Sequence, residues 1–296
     1  MNIRWAKIGQ FYGIALAGIS ALAALMYVGR EQLGPAATAL TALAMFSPLV
    51  ATLAMNKLDG KSLFDGLGTY RFSRYLIAAL VVPVGIAMGA LATGAMLPGV
   101  QLDLGMSAML AALPPDQAEA ARAQLASVRG GTIGLLVLGS LAAMVSGATL
   151  NSVFAFGEEV GWRGWLQREL EPLGFWGSSV VIGLMWGFWH APIIALGHNY
   201  PVHRLEGIFL FPVVCVLLSP WLSWVRNRAD SVWAAAIFHG TFNGIASLPM
   251  LLVTGPELII GVQGLAGVLT LLGFNVGLAI VMQLEGPQVA GEGSQD

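Results

Sequence analysis

The chain has 296 residues, of which 56% are hydrophobic and 10% charged, with a formal net charge of −2. A soluble domain carries about 25% charged residues, so this composition excludes a globule covered by water, and the mean hydropathy of +0.75 agrees. The near-neutral balance excludes the basic footprint of a nucleic-acid binder, and the single cysteine, Cys215, excludes a disulfide framework or a CxxC metal site.

Apolar runs of about 20 residues are long enough to cross a bilayer as helices. They occur here at 11–29, 35–55, 75–97, 131–157, 176–196, 207–225, 232–253 and 258–284. The fold class expected is therefore all-α: a polytopic integral membrane protein with about eight transmembrane helices. Their Gly, Ala and Ser content suits close helix–helix approach in lipid. The first run follows Arg4 and Lys7 like a signal peptide, but it is too long for one and no A-x-A-like site follows it, so it reads as a membrane helix. Residues 98–130 contain Pro114-Pro115 and then DQAEAARAQLASV, which reads as a short helix capped near Asp116. Residues 158–175 are the most highly charged stretch. One transmembrane domain, 1–285, and a polar tail, 286–296, account for the chain.

The connections carry an orientation signal. Arg4, Lys7, Lys57, Lys61, Arg71, Arg74, Arg163, Arg168, Arg226 and Arg228 fall on one side, and Arg30, Arg122, Arg129 and Arg204 on the other. Ten against four places both termini in the cytoplasm by the positive-inside rule.

Ionisable groups within membrane spans cost roughly 2.5–3.5 kcal/mol each on insertion scales and so call for a reason. Three clusters carry them: Glu158-Glu159-Val-Gly-Trp-Arg163, Trp186-Gly-Phe-Trp189-His190-Ala-Pro192 and Phe238-His239-Gly-Thr-Phe-Asn243. In a helix Glu159 and Arg163 share a face as an i, i+4 pair, while Glu158 lies about 100° round and points elsewhere. Adjacent carboxylates in a low-dielectric site provide a candidate general base. His239 and Asn243 also share a face and can present N–H donors to one oxyanion. Each cluster alone also fits a structural role: a solvated helix end, an interhelical hydrogen bond, a polar staple. Taken together, on separate helices, they supply a base, a water-orienting group and oxyanion donors, the equipment of hydrolysis. His198 and His203 fall in a loop and read as solvated, and Cys215 reads as a buried, inert thiol.

GEEVGWRGWLQ, WGFWHAP and FHGTFN, in that order, resemble the EExxxR, FxxxH and HxxxN motifs of the CAAX-protease/bacteriocin-processing family, which includes the eukaryotic prenyl-protein endoproteases. Bacterial members with GEE-x-GWRG and WG-x-WH-x-P are the nearer likeness, over about half the chain. Trp186 stands where the second motif often has Phe and keeps an aromatic wall. The resemblance implies an intramembrane endopeptidase in a bacterial cell membrane, acting on a membrane-associated peptide or protein, prenylated CAAX-type or bacteriocin-like. It implies that Glu158 activates a water that His190 holds, and that His239 and Asn243 stabilise the oxyanion. Glu159 and Arg163 would support as a pair orienting Glu158. The favoured reading has no cofactor. A zinc held by Glu158, His190 and His239 is the alternative, since His₂Glu is a catalytic zinc set, and HExxH is absent. A non-catalytic binding or immunity protein and a transporter are the competing functions; broken-helix repeats expected of a transporter are not evident.

One item conflicts. With the fourth span ending at 157, Glu158 sits at a helix end while His190 lies about 20 Å into the fifth. Either the fourth helix runs further, or a water-filled cavity reaches inward from the cytoplasmic side.

Overall fold

The computed structural model describes residues 2–30, 32–34, 36–63, 65 and 72–285; Arg71 of the charge count and the tail 286–296 lie outside the described residues. The chain forms helices α1 (Trp5–Val28), α2 (Ala36–Ala44), α3 (Ser47–Leu58), α4 (Arg74–Ala95), α5 (Ser107–Ala111), α6 (Pro115–Ser127) and α7 (Gly131–Ala148). Helix α8 (Leu150–Glu159) runs into a π-helical stretch, Val160–Leu166, and the short α9 (Gln167–Glu169). Helices α10 (Gly174–Trp189), α11 (Ala191–Ile194), α12 (Arg204–Ala229), α13 (Val232–Ile245) and α14 (Leu265–Glu285) complete the bundle. Among the described residues eight helical segments are long and apolar enough to cross a membrane. The protein is the all-α, polytopic membrane protein that its hydropathy predicts.

The first span starts at Trp5 rather than 11, and the fifth and sixth shift by up to five residues; three further differences have a local reason. The second span is two helices, broken at Met45–Phe46, with Pro48 in the first turn of α3, where its missing N–H costs nothing. The eighth helix begins at Leu265 rather than 258, because 253–254 pair instead with 101–102 as a two-residue antiparallel ladder, β1 (Gln101–Leu102) with β2 (Val253–Thr254). Helix α6 has no side-chain cap: Pro114 precedes it and Pro115 starts it, so proline geometry, not Asp116, sets its N-terminus.

The fourth span holds the largest correction. Helix α7 stops at Thr149, whose φ of −125° and ψ of −102° are not helical, and the chain resumes as α8 and continues to Glu169. Contacts with α13 fix its direction. A Cβ on Gly139 would touch Leu248, one on Gly147 would touch Thr241, and Asn151 bonds the Gly240 carbonyl at 3.1 Å. Phe156 then stacks on Trp233. Both α7 and α8 therefore run antiparallel to α13 as one broken crossing. Glu158 is deep inside it, and the conflict over the fourth span is resolved by a longer helix.

One end of the bundle gathers the charges. Arg4 binds Asp59 and Glu169, Lys7 binds Asp59, Arg168 binds Asp65 at 3.1 Å and Arg228 binds Glu285 at 2.7 Å. These pairs join the start of α1 to the ends of α3 and α9, and the end of α12 to that of α14. The opposite end carries the small β ladder, α5, α6 and the loops 195–203 and 255–264. Helices α10, α12 and α13 form the interior: α10 packs chiefly on α12, and α8, α7 and α4 pack on α13.

Candidate active site

The site is built on close backbone approach. A Cβ on Gly157 would lie 2.8 Å from the Met45 carbonyl oxygen, and one on Gly161 2.5 Å from Pro48 Cβ. Glycines four apart thus let the α2–α3 break press against the helix that carries Glu158 and Glu159. The π-helical turn follows at once and brings Arg163 wholly inside; such turns recur at functional sites. On α10, Gly183 and Gly187 do the same against α12, where added Cβ atoms would meet Val216 and Pro212 backbone within 2.4 Å and 2.3 Å. That contact sets His190 against Phe211, ring centroids 4.8 Å apart.

Neighbouring positions on α8 point Glu158 and Glu159 at different helices. Glu158 Oε2 accepts the indole N–H of Trp186 at 2.6 Å. Glu159 Oε1 accepts from Arg163 at 3.1 Å and from His239 Nδ1 at 2.8 Å. Arg163 also donates to Ser219 Oγ at 3.2 Å and lies over the Trp186 ring, 4.8 Å from its centroid. Glu159 and Arg163 do pair as their spacing predicts, but the group they orient is His239. Glu158 is held by Trp186 instead, as the 100° between adjacent helical residues requires.

The bonds fix which ring nitrogens face the cavity. His190 Nδ1 lies 2.8 Å from the Trp186 carbonyl oxygen, which can only accept, so Nδ1 carries the proton and Nε2 is free to accept. His239 Nδ1 likewise donates to Glu159, leaving Nε2 toward the cavity. With both carboxylates ionised, Arg163 leaves the cluster one negative charge in excess. A proton on Glu158 or on His239 Nε2 makes it neutral, the state that low-dielectric burial favours.

Glu158, His190, His239 and Asn243 line one cavity of about 460 Å³. Its walls are apolar at Phe211, Val214 and Phe242, and Cys215, buried and unpaired, lies in the same wall. Asn243 is exposed within it. Among the described residues no three His, Cys, Asp or Glu side chains are grouped closely enough to hold a metal ion as they stand.

The two loop histidines differ. His198 is exposed, as a solvated loop residue should be, and also lines the cavity. His203 donates its backbone N–H and its ring Nδ1–H to Glu257 at 2.7 and 3.0 Å, and Val202 N–H adds a third bond. A loop cannot be placed by periodicity, so neither contact was legible. Ser219, the hydroxyl that Arg163 reaches 56 residues along the chain, carries no motif either.

Residues 133–245 match the model of a family described as type II CAAX prenyl endopeptidase, Rce1-like. No curated protein matches the sequence. The matched stretch begins in α7, ends with α13 and contains all three motifs and every group of the cavity cluster. This segment, a little over a third of the chain, is thus similar to the CAAX-protease family.

Proposed function

We propose that the protein is an intramembrane endopeptidase that hydrolyses a peptide bond of a membrane-associated substrate with a water activated by Glu158 and no metal. The observation that carries this reading is the convergence of Glu158, His190, His239 and Asn243 on one cavity. A transporter would spread such groups along a path.

In this mechanism the water sits between Glu158 Oε1, the oxygen that Trp186 leaves free, and His190 Nε2. Glu158 takes one proton as the water oxygen adds to the peptide carbonyl carbon. His239 Nε2–H and the Asn243 amide donate to the oxyanion. The C–N bond then breaks, and Glu158 returns its proton to the leaving amine. The products are a carboxylic acid and an amine, with no covalent intermediate, since no Ser or Cys is placed as nucleophile beside these groups. Metal-free catalysis is favoured because His239 and Asn243, four apart on one helix, make an oxyanion-binding pair and no HExxH is present.

The protein lies in a bacterial-type cell membrane with the charged end of the bundle, and both termini, in the cytoplasm, as the excess of Lys and Arg there implies. The test is purified protein in vesicles against a library of membrane-anchored peptides, prenylated CAAX-type sequences among them. Cleavage that persists in EDTA is expected. Activity lost to EDTA and restored by zinc would overturn the metal-free reading. No cleavage across the library would favour a non-catalytic binding protein.

A further inference from the structure

We infer that the catalytic cavity opens on the non-cytoplasmic face, so that its substrate is a membrane-associated peptide presented from that side. This rests on the site reading above and on two observations independent of it: where the charges lie and where the cavity walls lie.

The walls are one-sided. Helix α13 starts at the charged end, next to Arg228 and Asp230, yet its first lining residue is His239, about 10 Å along at 1.5 Å per residue. The others, Phe242, Asn243, Ala246, Ser247 and Met250, lie progressively further away. Helix α10 also starts at the charged end, and its first lining residue, Trp186, is about 18 Å in. Helix α12 runs the other way and ends at the charged end. Its last lining residue, Leu218, stops about 16 Å short of Ala229. Four helices thus agree on a floor near mid-bundle, because α2 also contributes only Thr41 and Ala44 from the half away from the charges.

The mouth is formed by His198, Asn199, Ser247 and Gln263, in or beside the loops of the opposite end. A second cavity of about 410 Å³ shares Thr41, Met45, His198 and Asn243 with the first and extends to Met26 and Thr38, at the far ends of α1 and α2. None of the residues lining either cavity belongs to the ion pairs of the charged end. Beneath the floor, Arg163 and Trp162 are fully buried, and Gln167 bonds Asn227 at 2.7 Å. A cytoplasmic peptide would have to pass through that packed layer to reach Glu158. One from the other side meets open space and neutral hydrogen-bonding groups suited to an extended backbone.

Thiol accessibility tests this without turnover. In a Cys215→Ala background, Ser247→Cys and Gln263→Cys mark the mouth and Lys61→Cys marks the charged end. Intact bacterial cells expressing each variant are treated with a membrane-impermeant maleimide, before and after permeabilisation, and size-exclusion profiles confirm that each variant is folded. Both mouth positions should label in intact cells, and Lys61→Cys only after permeabilisation. Labelling of Lys61→Cys in intact cells, or of the mouth positions only after permeabilisation or not at all, overturns the inference. These outcomes do not depend on Glu158, so failure of the hydrolytic reading would show separately, as undiminished cleavage by Glu158→Gln.

Discussion

The inner and outer helices of this bundle obey different rules. The three spans that include α10, α12 and α13 are 56, 67 and 61% buried inside the protein, whereas the other five range from 11 to 33%. The outer helices meet lipid and need only be apolar. The inner ones are walled by protein, which lets Glu158, Glu159, Arg163, His190 and His239 sit within the bundle, each with at least one hydrogen bond to a neighbouring side chain or carbonyl. The match to the CAAX-protease family falls on the inner region together with α7 and α8. The difference teaches that polar residues persist where other helices, not lipid, supply their partners.

The sharpest break of the contrast is Arg163→Met. Removing one partner of a buried pair leaves an uncompensated charge and costs about 3–5 kcal/mol. Thermal denaturation in detergent should show a large loss of stability, and a normal melting temperature would mean that Glu159 needs no counter-charge. Trp186→Phe comes next. It keeps the aromatic wall and the residue 186 carbonyl that anchors His190, but removes the donor to Glu158. Losing a hydrogen bond to a charged group, about 1.5–3 kcal/mol, should lower kcat by roughly 10- to 100-fold with KM little changed. A rise in KM with kcat intact would make Trp186 a pocket wall only.

Gly187→Leu against Gly13→Leu compares inner with outer directly. The first drives a side chain into Pro212 and should cost about 1–3 kcal/mol or more. The second meets nothing within 4 Å and should stay within about ±0.5 kcal/mol. Equal effects would deny the distinction.

The smallest effect concerns the loop at the mouth. Burial alone would raise the Glu257 carboxyl, but the N–H groups of His203 and Val202 and the His203 ring outweigh it and hold it below the usual carboxylate range. A depressed folded value means that this anchoring is complete above the ordinary range, near pH 4, and is lost as pH falls through the lowered value. The protection of amides at residues 197–203, taken relative to the intrinsic exchange rate at each pH, should therefore fall only in acid, and Glu257→Gln should show the lowered protection at neutral pH. Protection independent of pH and of this substitution would remove the anchor.

Inner and outer spans were both legible from hydropathy, with ends that differ by up to nine residues. Hydropathy placed 75–97, an outer span, and 232–253, an inner one, within two residues of the observed segments. It failed at 150–169, where EEVGWRGWLQRE looks like a solvated connection. Glu158, Glu159 and Arg163 instead meet Trp186, His239 and Ser219, and Gln167 meets Asn227, partners that no local window contains. The motif residues were legible by type and spacing. That Glu159 serves His239 while Trp186 serves Glu158 was not, since helical spacing says which residues diverge but not which helix each will meet.

The most direct test of the account compares Glu158→Gln with wild type on one cleaved membrane peptide, with melting temperatures measured alongside. The amide still accepts the Trp186 N–H, so stability should barely change. A general base contributes about 10²–10⁴-fold, so cleavage should fall by that order. Equal cleavage by the two proteins would contradict the assignment of Glu158 as the base and, with it, the proposed mechanism.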